Sequence, residues 1–413
     1  MKKLSRLNII LPLSLTITFL AIACGNDVEK KGIHKSTLNE TKKDTTGNFK
    51  KINSNTQKIF VDSFYNTIAQ VVGGMDSTLP AFTKKWDRNF IRFYSANSRF
   101  KYEKIKNDRL SKIYEWNTGV MKRNGQPDSS FAFYPFSGGD FIHMAWLYPN
   151  AQEYYMIAKE PVGDFPDLIN SDSITVNQYL KNVDLVLRDI YYRSYFITKN
   201  MIIDMKNKNL VNGVLPLIMW GMSKTGHEIL EVKFGALSDS GKMEFKNKKE
   251  FKVFAADAVE ITFRKINTNA MKKLTYLSCD ISDPGFTNKP FAFVYLKNRI
   301  PDSCMTFIKS ASYLLHYHTF QKIRTMIIEK SNYLVQDDTG IPFREFTSGN
   351  WNKELYGIYT KPVKDFKTAS LYQRDLDSAY RNPKFYKGEL NFSLGYHWSS
   401  KKQNQMVFKK IKR

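Results

Sequence analysis

Residues Phe131 to Gly163 read FAFYPFSGGDFIHMAWLYPNAQEYYMIAKEPVG, and the fold depends on how this stretch divides. Phe131 to Phe136 is a short apolar run rich in aromatic side chains, which reads as a strand. Ser137-Gly138-Gly139-Asp140 is a turn, Asp140 to Leu147 reads as a short helix, and Glu153 to Ala158 as a buried strand before the Pro161-Val162-Gly163 stop. A helix thus sits between two strands.

Upstream, Phe60, Phe64, Ile68, Val71 and Val72 recur at helical spacing and stop at Gly73-Gly74; Phe82 to Ser95 and Phe100 to Tyr114 continue the pattern. Residues 57–128 are therefore expected as a helical N-terminal region, and 129–413 as the main domain. Within it a long helix is expected from Ile174 to Lys206, and strands over Glu228 to Leu237, Val259 to Lys265 and Lys273 to Asp280. Thr306 to Lys330 reads as a second long helix, and Leu390 to Trp398 with Gln405 to Ile411 as a closing hairpin. Irregular alternation of strands and helices predicts an α/β or α+β fold with a mixed sheet and two long helices. Lys199 to Asp204 matches Arg324 to Glu329 at constant offset, so a duplicated half would give two similar lobes dividing near residue 284.

The chain opens MKKLSRLNIILPLSLTITFLAIAC. A basic start, a short apolar run and Ala21-Ile22-Ala23 before Cys24 have the layout of a lipoprotein signal peptide over residues 1–23, although the usual Leu three places before the Cys is here Ala21. Cys24 is then the lipidated first residue, carrying acyl chains such as palmitate. Residues 24–56 are polar and almost without aromatics, so they read as a flexible tether. The expected location is the bacterial cell envelope, on a periplasmic or cell-surface face, with the membrane as partner.

Removing Lys2, Lys3 and Arg6 with the signal takes the formal net charge from +24 to +21. So basic a chain attracts anions, which makes an anionic envelope ligand a candidate partner. The basic residues are scattered, without an Arg-rich block or a nucleic-acid motif, so nucleic acid is not expected. Export allows a disulfide between Cys279 and Cys304, the two cysteines left after Cys24.

Ser137, Asp140 and His143 invite a nucleophile, acid and base reading. Their spacing favours another: hydroxyl and carboxylate capping the first turn of the helix, with His143 one turn on. Asp337-Asp338-Thr339-Gly340 resembles half of a calcium loop but lacks its alternating ligands and closing Glu, so it reads as a turn. His316 and His318, about 200° apart around a helix, cannot share a metal. No phosphate loop, dinucleotide fingerprint or metal-ligand spacing is present, so no cofactor or metal is expected.

Tyr134 to Phe141, Glu160 to Gly163, Gly213 to Pro216 and Gln336 to Pro342 together resemble a family of exported bacterial proteins of uncharacterised activity. That family carries Tyr-Pro-Phe-Ser-Gly-Pro-Asp-Phe, Glu-Pro-Val-Gly, Gly-Val-Leu-Pro and Gln-Asp-Asp-Ser-Gly-Ile-Pro segments; here Gly139 replaces a Pro and Thr339 a Ser. The resemblance spans about Ser129 to Phe408 and implies a shared fold. The expectation is a lipid-anchored binding or envelope-structural protein. The alternative is an extracytoplasmic hydrolase whose site unites segments 137–143 and 337–345, which requires the two to fold side by side.

Overall fold

Side chains of β1 (Phe131–Pro135) alternate between two separate cores, Ala132 and Tyr134 in one, Phe131 and Phe133 in the other. β2 (Glu153–Ala158) divides the same way, Tyr154 and Met156 against Tyr155 and Ile157. This period of two is the strand pleat, and a sheet apolar on both faces has to be covered on both. The computed structural model describes residues 61–75, 85–125, 129–196, 211–250, 256–364, 366, 369–398 and 403–411. It shows an eleven-stranded mixed sheet between two helical layers.

The remaining strands are β3 (His227–Leu237), β4 (Met243–Lys246), β5 (Ala258–Lys265), β6 (Met271–Ser278), β7 (Cys304–Ile308), β8 (Ser331–Gln336), β9 (Trp351–Gly357), β10 (Tyr386–Gly388) and β11 (Asn404–Lys410). Their order is β10-β9-β11-β8-β7-β1-β2-β6-β5-β3-β4. The five central strands from β8 to β6 are parallel. Neighbours outside them are antiparallel, apart from the parallel β9 and β10. The chain steps from β1 to β2 in one direction and from β7 to β8 in the other, so strand order reverses between β1 and β7.

Each half of the chain covers one face. α1 (Ser63–Val72), α2 (Arg88–Ile105), α3 (Ser111–Asn124), α4 (Phe141–Leu147), α5 (Ser173–Arg193) and α6 (Leu215–Lys224) form the first layer. α7 (Asp283–Asn288), α8 (Pro290–Arg299), α9 (Gln321–Lys330) and α10 (Arg374–Arg381) form the second. Carboxylates start several of them: Asp62, Asp87 and Asp172 each accept from amides of the first turn, satisfying donors that the helix leaves orphaned.

The fold class is as expected, mixed α/β with two long helices. One is α5; the other is the near-continuous α2–α3 rod from Arg88 to Asn124, joined through a π-helical turn at Lys106–Leu110. Thr306 to Lys330 is not the second: it holds most of β7, two short 3₁₀ turns and α9. A short buried strand and a buried helix look alike by periodicity, and this run joins both. The closing hairpin is also corrected. Residues 390–398 contain a 3₁₀ turn at Gly395–His397, and β11 instead inserts between β8 and β9. Cys279 and Cys304 are free. Cys279 follows the end of β6 and Cys304 begins β7, with β1 and β2 between these parallel strands. Three strand spacings alone separate them by about 14 Å, beyond disulfide reach. The signal peptide, the tether with Cys24, and Lys199 to Asp204 lie outside the described residues.

Candidate functional site

Because β1, β7 and β8 are parallel neighbours, their C-terminal ends deliver Ser137 to Asp140, Lys309-Ser310 and Asp337-Asp338 to one edge of the sheet. Segments about two hundred positions apart in sequence therefore meet. Lys309 is the hinge of the meeting: its ammonium donates to the Asp140 carboxylate and to the Ser194 carbonyl. Asp140 also accepts from His143 Nδ1 at 2.7 Å and from the Tyr134 hydroxyl at 3.1 Å. It caps α4 as well, accepting from the His143 amide. Lys309, Asp140 and His143 are 2 %, 1 % and 0 % exposed, so their charges must be settled inside the protein.

One residue on, the Ser310 amide donates to Asp337 Oδ2 at 3.1 Å, while Asp337 Oδ1 accepts from the Thr339 amide and hydroxyl at 3.0 and 2.5 Å. Asp338 accepts from the Tyr313 hydroxyl at 2.5 Å and from Asn404 Nδ2 at 3.0 Å, and lies 2.8 Å from His397 Nε2. Ser194, the left-handed residue that ends α5, links the halves: its carbonyl holds Lys309 and its hydroxyl accepts from the Gly395 amide at 2.7 Å. Gly395 has φ 63°, and a Cβ there would fall 2.5 Å from Ser310 Oγ and 2.9 Å from Asp337 Oδ2. Only glycine fits over this junction.

Electrostatics divides the two carboxyl clusters. Burial opposes charge on Asp140, but attraction from His143 and Lys309 outweighs it and brings the carboxyl down to about 2. Burial pushes His143 down to about 4 and lowers Lys309, with Asp140 opposing both shifts. Asp140 and Lys309 are thus an ion pair beside a neutral imidazole. Asp337 moves the other way, up to about 6, through burial and repulsion from Asp338. Burial works against charge on His397, yet its hydrogen bond to Asp338 raises it.

This framework underlies a cleft of about 680 Å³ at the ends of β1, β2, β6 and β7. Phe136, Tyr195, Phe196, Phe320 and Tyr396 supply aromatic wall, and Ser137, Glu160, Lys309, Ser310 and Ser312 polar points. Crevices at the carboxyl ends of parallel strands, where strand order reverses, are where open α/β sheets take ligands. The backbone around the cleft is strained: Phe136, Ser194, Ser310, Ser312 and Tyr313 have positive φ, leaving Asn267 as the remaining non-glycine example among the described residues. Such conformations persist where surrounding structure holds them, and they gather at ligand sites. Among the described residues the Glu160 carboxylate, on a residue 2 % exposed, has no hydrogen-bond or ion-pair partner.

The residues singled out in the sequence fall as follows. Ser137 lines the cleft, but its hydroxyl donates to Gly138 and Ile157 carbonyls at 3.1 and 3.3 Å rather than to His143. Asp140 is the helix cap. His143 is not part of the cleft wall, and its Nε2 is buried without a partner. Asp337 and Asp338 are braced beneath the cleft, and Arg344 and Glu345 pair beyond it at 3.6 Å. Lys309 escaped notice because it lies inside the run Thr306 to Lys330 misread as helix. A lysine directly after the apolar CMTFI stretch was its available signal. Glu160 stood inside the quoted stretch, with nothing in its neighbours to mark it.

Three of the segments compared in the sequence, 134–141, 160–163 and 213–216, also meet. Val214 and Leu215 amides donate to Pro161 and Val162 carbonyls at 3.1 and 3.0 Å. A Cβ on Gly213 would come within 2.4 Å of the Gly163 amide nitrogen, so these backbones approach as only glycines permit. A Cβ on Gly139 would lie 2.8 Å from Leu217 Cβ, which ties the first segment to the same junction. Groups of three or more residues able to hold a metal ion are absent among the described residues. Comparisons with protein-family models, with curated proteins and with solved structures found no match to this chain.

Proposed function

We propose that the protein is a lipid-anchored envelope protein that binds a small, ring-bearing molecule in the cleft between β1 and β7. The observation carrying this reading is an aromatic-walled cleft of ligand size at the reversal of strand order, above a network in which Lys309 and His143 Nδ1 both bond to Asp140. Glu160 is the group positioned to receive a donor or ammonium group of the ligand, and the aromatic walls suit its rings. The hydrolase reading draws support from the meeting of the 137–143 and 337–345 segments. It is disfavoured because no serine hydroxyl among the described residues bonds to His143, and a nucleophile needs its base within hydrogen-bond reach.

Filling the cleft tests the binding reading. Thr319 lines it, and Thr319→Trp would occupy it. Protein purified from membranes is expected to release a small molecule on solvent extraction, and the folded Thr319→Trp variant to release none. Extraction of nothing from wild type, or of the same molecule in equal yield from the variant, would count against a ligand cleft. The anchor is separable: Cys24→Ser should abolish palmitate labelling and release the protein from the membrane fraction, whereas unchanged labelling and fractionation would overturn lipidation. No helix among the described residues is long and apolar enough to cross a membrane.

A further inference from the structure

A second cavity, of about 840 Å³, lies at the opposite edge of the sheet, where β2, β3 and β6 begin and β5 ends. Its walls carry Lys224, Lys265, Lys272 and His227, and no aspartate or glutamate. Lys224 closes α6 and is only 9 % exposed, with no hydrogen-bond or ion-pair partner among the described residues. Its ammonium instead rests 5.3 Å from the centre of the Tyr102 ring. Lys272 donates to the Pro149 and Ala151 carbonyls at 2.6 and 2.7 Å, which leaves a third donor, and sits 5.6 Å from the centre of the Tyr154 ring.

These cations crowd one another. Burial brings Lys272 down to about 8 with Lys265 repelling it, and brings Lys224 to about 8 with Arg99 repelling it and Glu103 partly opposing. Burial, then Lys272 and Lys265, hold His227 near 4, so its imidazole is neutral and its Nδ1 engages the Thr225 hydroxyl at 2.8 Å. Burying a lysine without an acidic partner costs stability, and that cost is recovered when an anion arrives. The other walls are aromatic: Trp146 and Tyr114 meet edge to face at 6.3 Å, and Tyr102 stands under Lys224. Several ammonium groups favour a multiply charged oxyanion over a single carboxylate, because lysine acts on phosphate as a point charge.

We propose that this second cavity binds a phosphoryl group attached to an apolar or ring-bearing body, with Lys224, Lys265 and Lys272 holding the phosphate and Tyr102 and Trp146 the body. The phosphate can belong to a soluble molecule or to a lipid headgroup. This proposal is independent of the cleft between β1 and β7.

Calorimetric titration of the full-length protein in mild detergent with phenyl phosphate, and co-sedimentation with phosphatidylglycerol vesicles, distinguish the two sources. Saturable binding is expected in at least one arm. It should weaken about tenfold or more in Lys224→Met, the effect of losing one charge-assisted bond. The Lys265 side chain is exposed and makes no hydrogen bond or ion pair among the described residues, so Lys265→Gln keeps the test valid if Lys224→Met fails to fold, and should weaken the same arm. Binding of phenyl phosphate assigns the soluble source, and variant-sensitive binding of vesicles alone assigns the headgroup. Absence of saturable binding in both arms, or binding that neither folded variant weakens, would overturn the proposal.

Discussion

Replacing Lys309 with methionine should destabilise the protein by about 3–5 kcal/mol, the cost of stranding one partner of a buried ion pair. Lys309 and Asp140 have side chains 1 % exposed. Without the ammonium, Asp140 keeps His143 Nδ1 and the Tyr134 hydroxyl as donors but loses its countercharge. The Ser194 carbonyl loses its donor at the same time. Domains are stable by roughly 5–15 kcal/mol, so such a loss is a large share of the whole. Denaturant unfolding measures it, and the Lys309→Met/Asp140→Asn double variant should recover much of the loss, because the stranded charge is gone. A loss below about 1 kcal/mol for Lys309→Met would show that the pair is solvated or compensated in a way this geometry excludes.

The second large effect is acid unfolding between pH 6.5 and 4. His143 titrates near 4 in the fold because burial disfavours its charged form, against about 6.5 in the unfolded chain. The unfolded chain therefore binds the proton first as pH falls, and stability drops across that window. His143 alone accounts for a loss on the order of 3 kcal/mol. His227 and His316 are held near 4 by burial too, and act in the same direction. Asp337 acts oppositely: raised to about 6, it takes its proton in the folded state first and adds stability as pH falls from 6 toward 4. His397, raised despite its burial by the hydrogen bond to Asp338, also takes its proton first in the folded state, but that gain is largely complete by about pH 6.5, so three imidazoles against one carboxyl leave a net loss below it. Below about 4 the ion-paired Asp140, held near 2, adds to it. Thermal melting followed from pH 7 to pH 4.5 should show a falling midpoint; a flat or rising midpoint would refute the assignment of buried neutral imidazoles.

The β1–α4–β2 unit was legible because its apolar runs are bounded by Ser137 to Asp140 on one side and Pro161 to Gly163 on the other. The long helix after it was legible in its first part: α5 keeps the expected steps Leu180, Val183, Leu187 and Ile190 on its buried side but ends at Arg193, where left-handed Ser194 stops it short of the expected Lys206. β7 was not, since CMTFI passes through a short loop into helical residues and offers periodicity no boundary. That one misreading hid Lys309, and with it the reason why Asp140 and Asp337 share an edge of the sheet. Adjacency of β1, β7 and β8 is a property of strand order, which pairs residues far apart in the chain and leaves no local trace. Glu160 and Lys224 were invisible for a related reason: a charged residue in sequence declares its charge but not whether it is buried with a partner.

The two margins of the sheet are its shortest described strands, β4 with 4 residues and β10 with 3. Each ends the hydrogen-bonded ladder almost as soon as it begins, and each carries lysine, Lys246 in one and Lys387 in the other. A long bare margin would be a template on which a second chain could add its own strand and start a fibril. Short, charged margins offer little length to copy, so a sheet this wide can stand in crowded surroundings without growing from molecule to molecule.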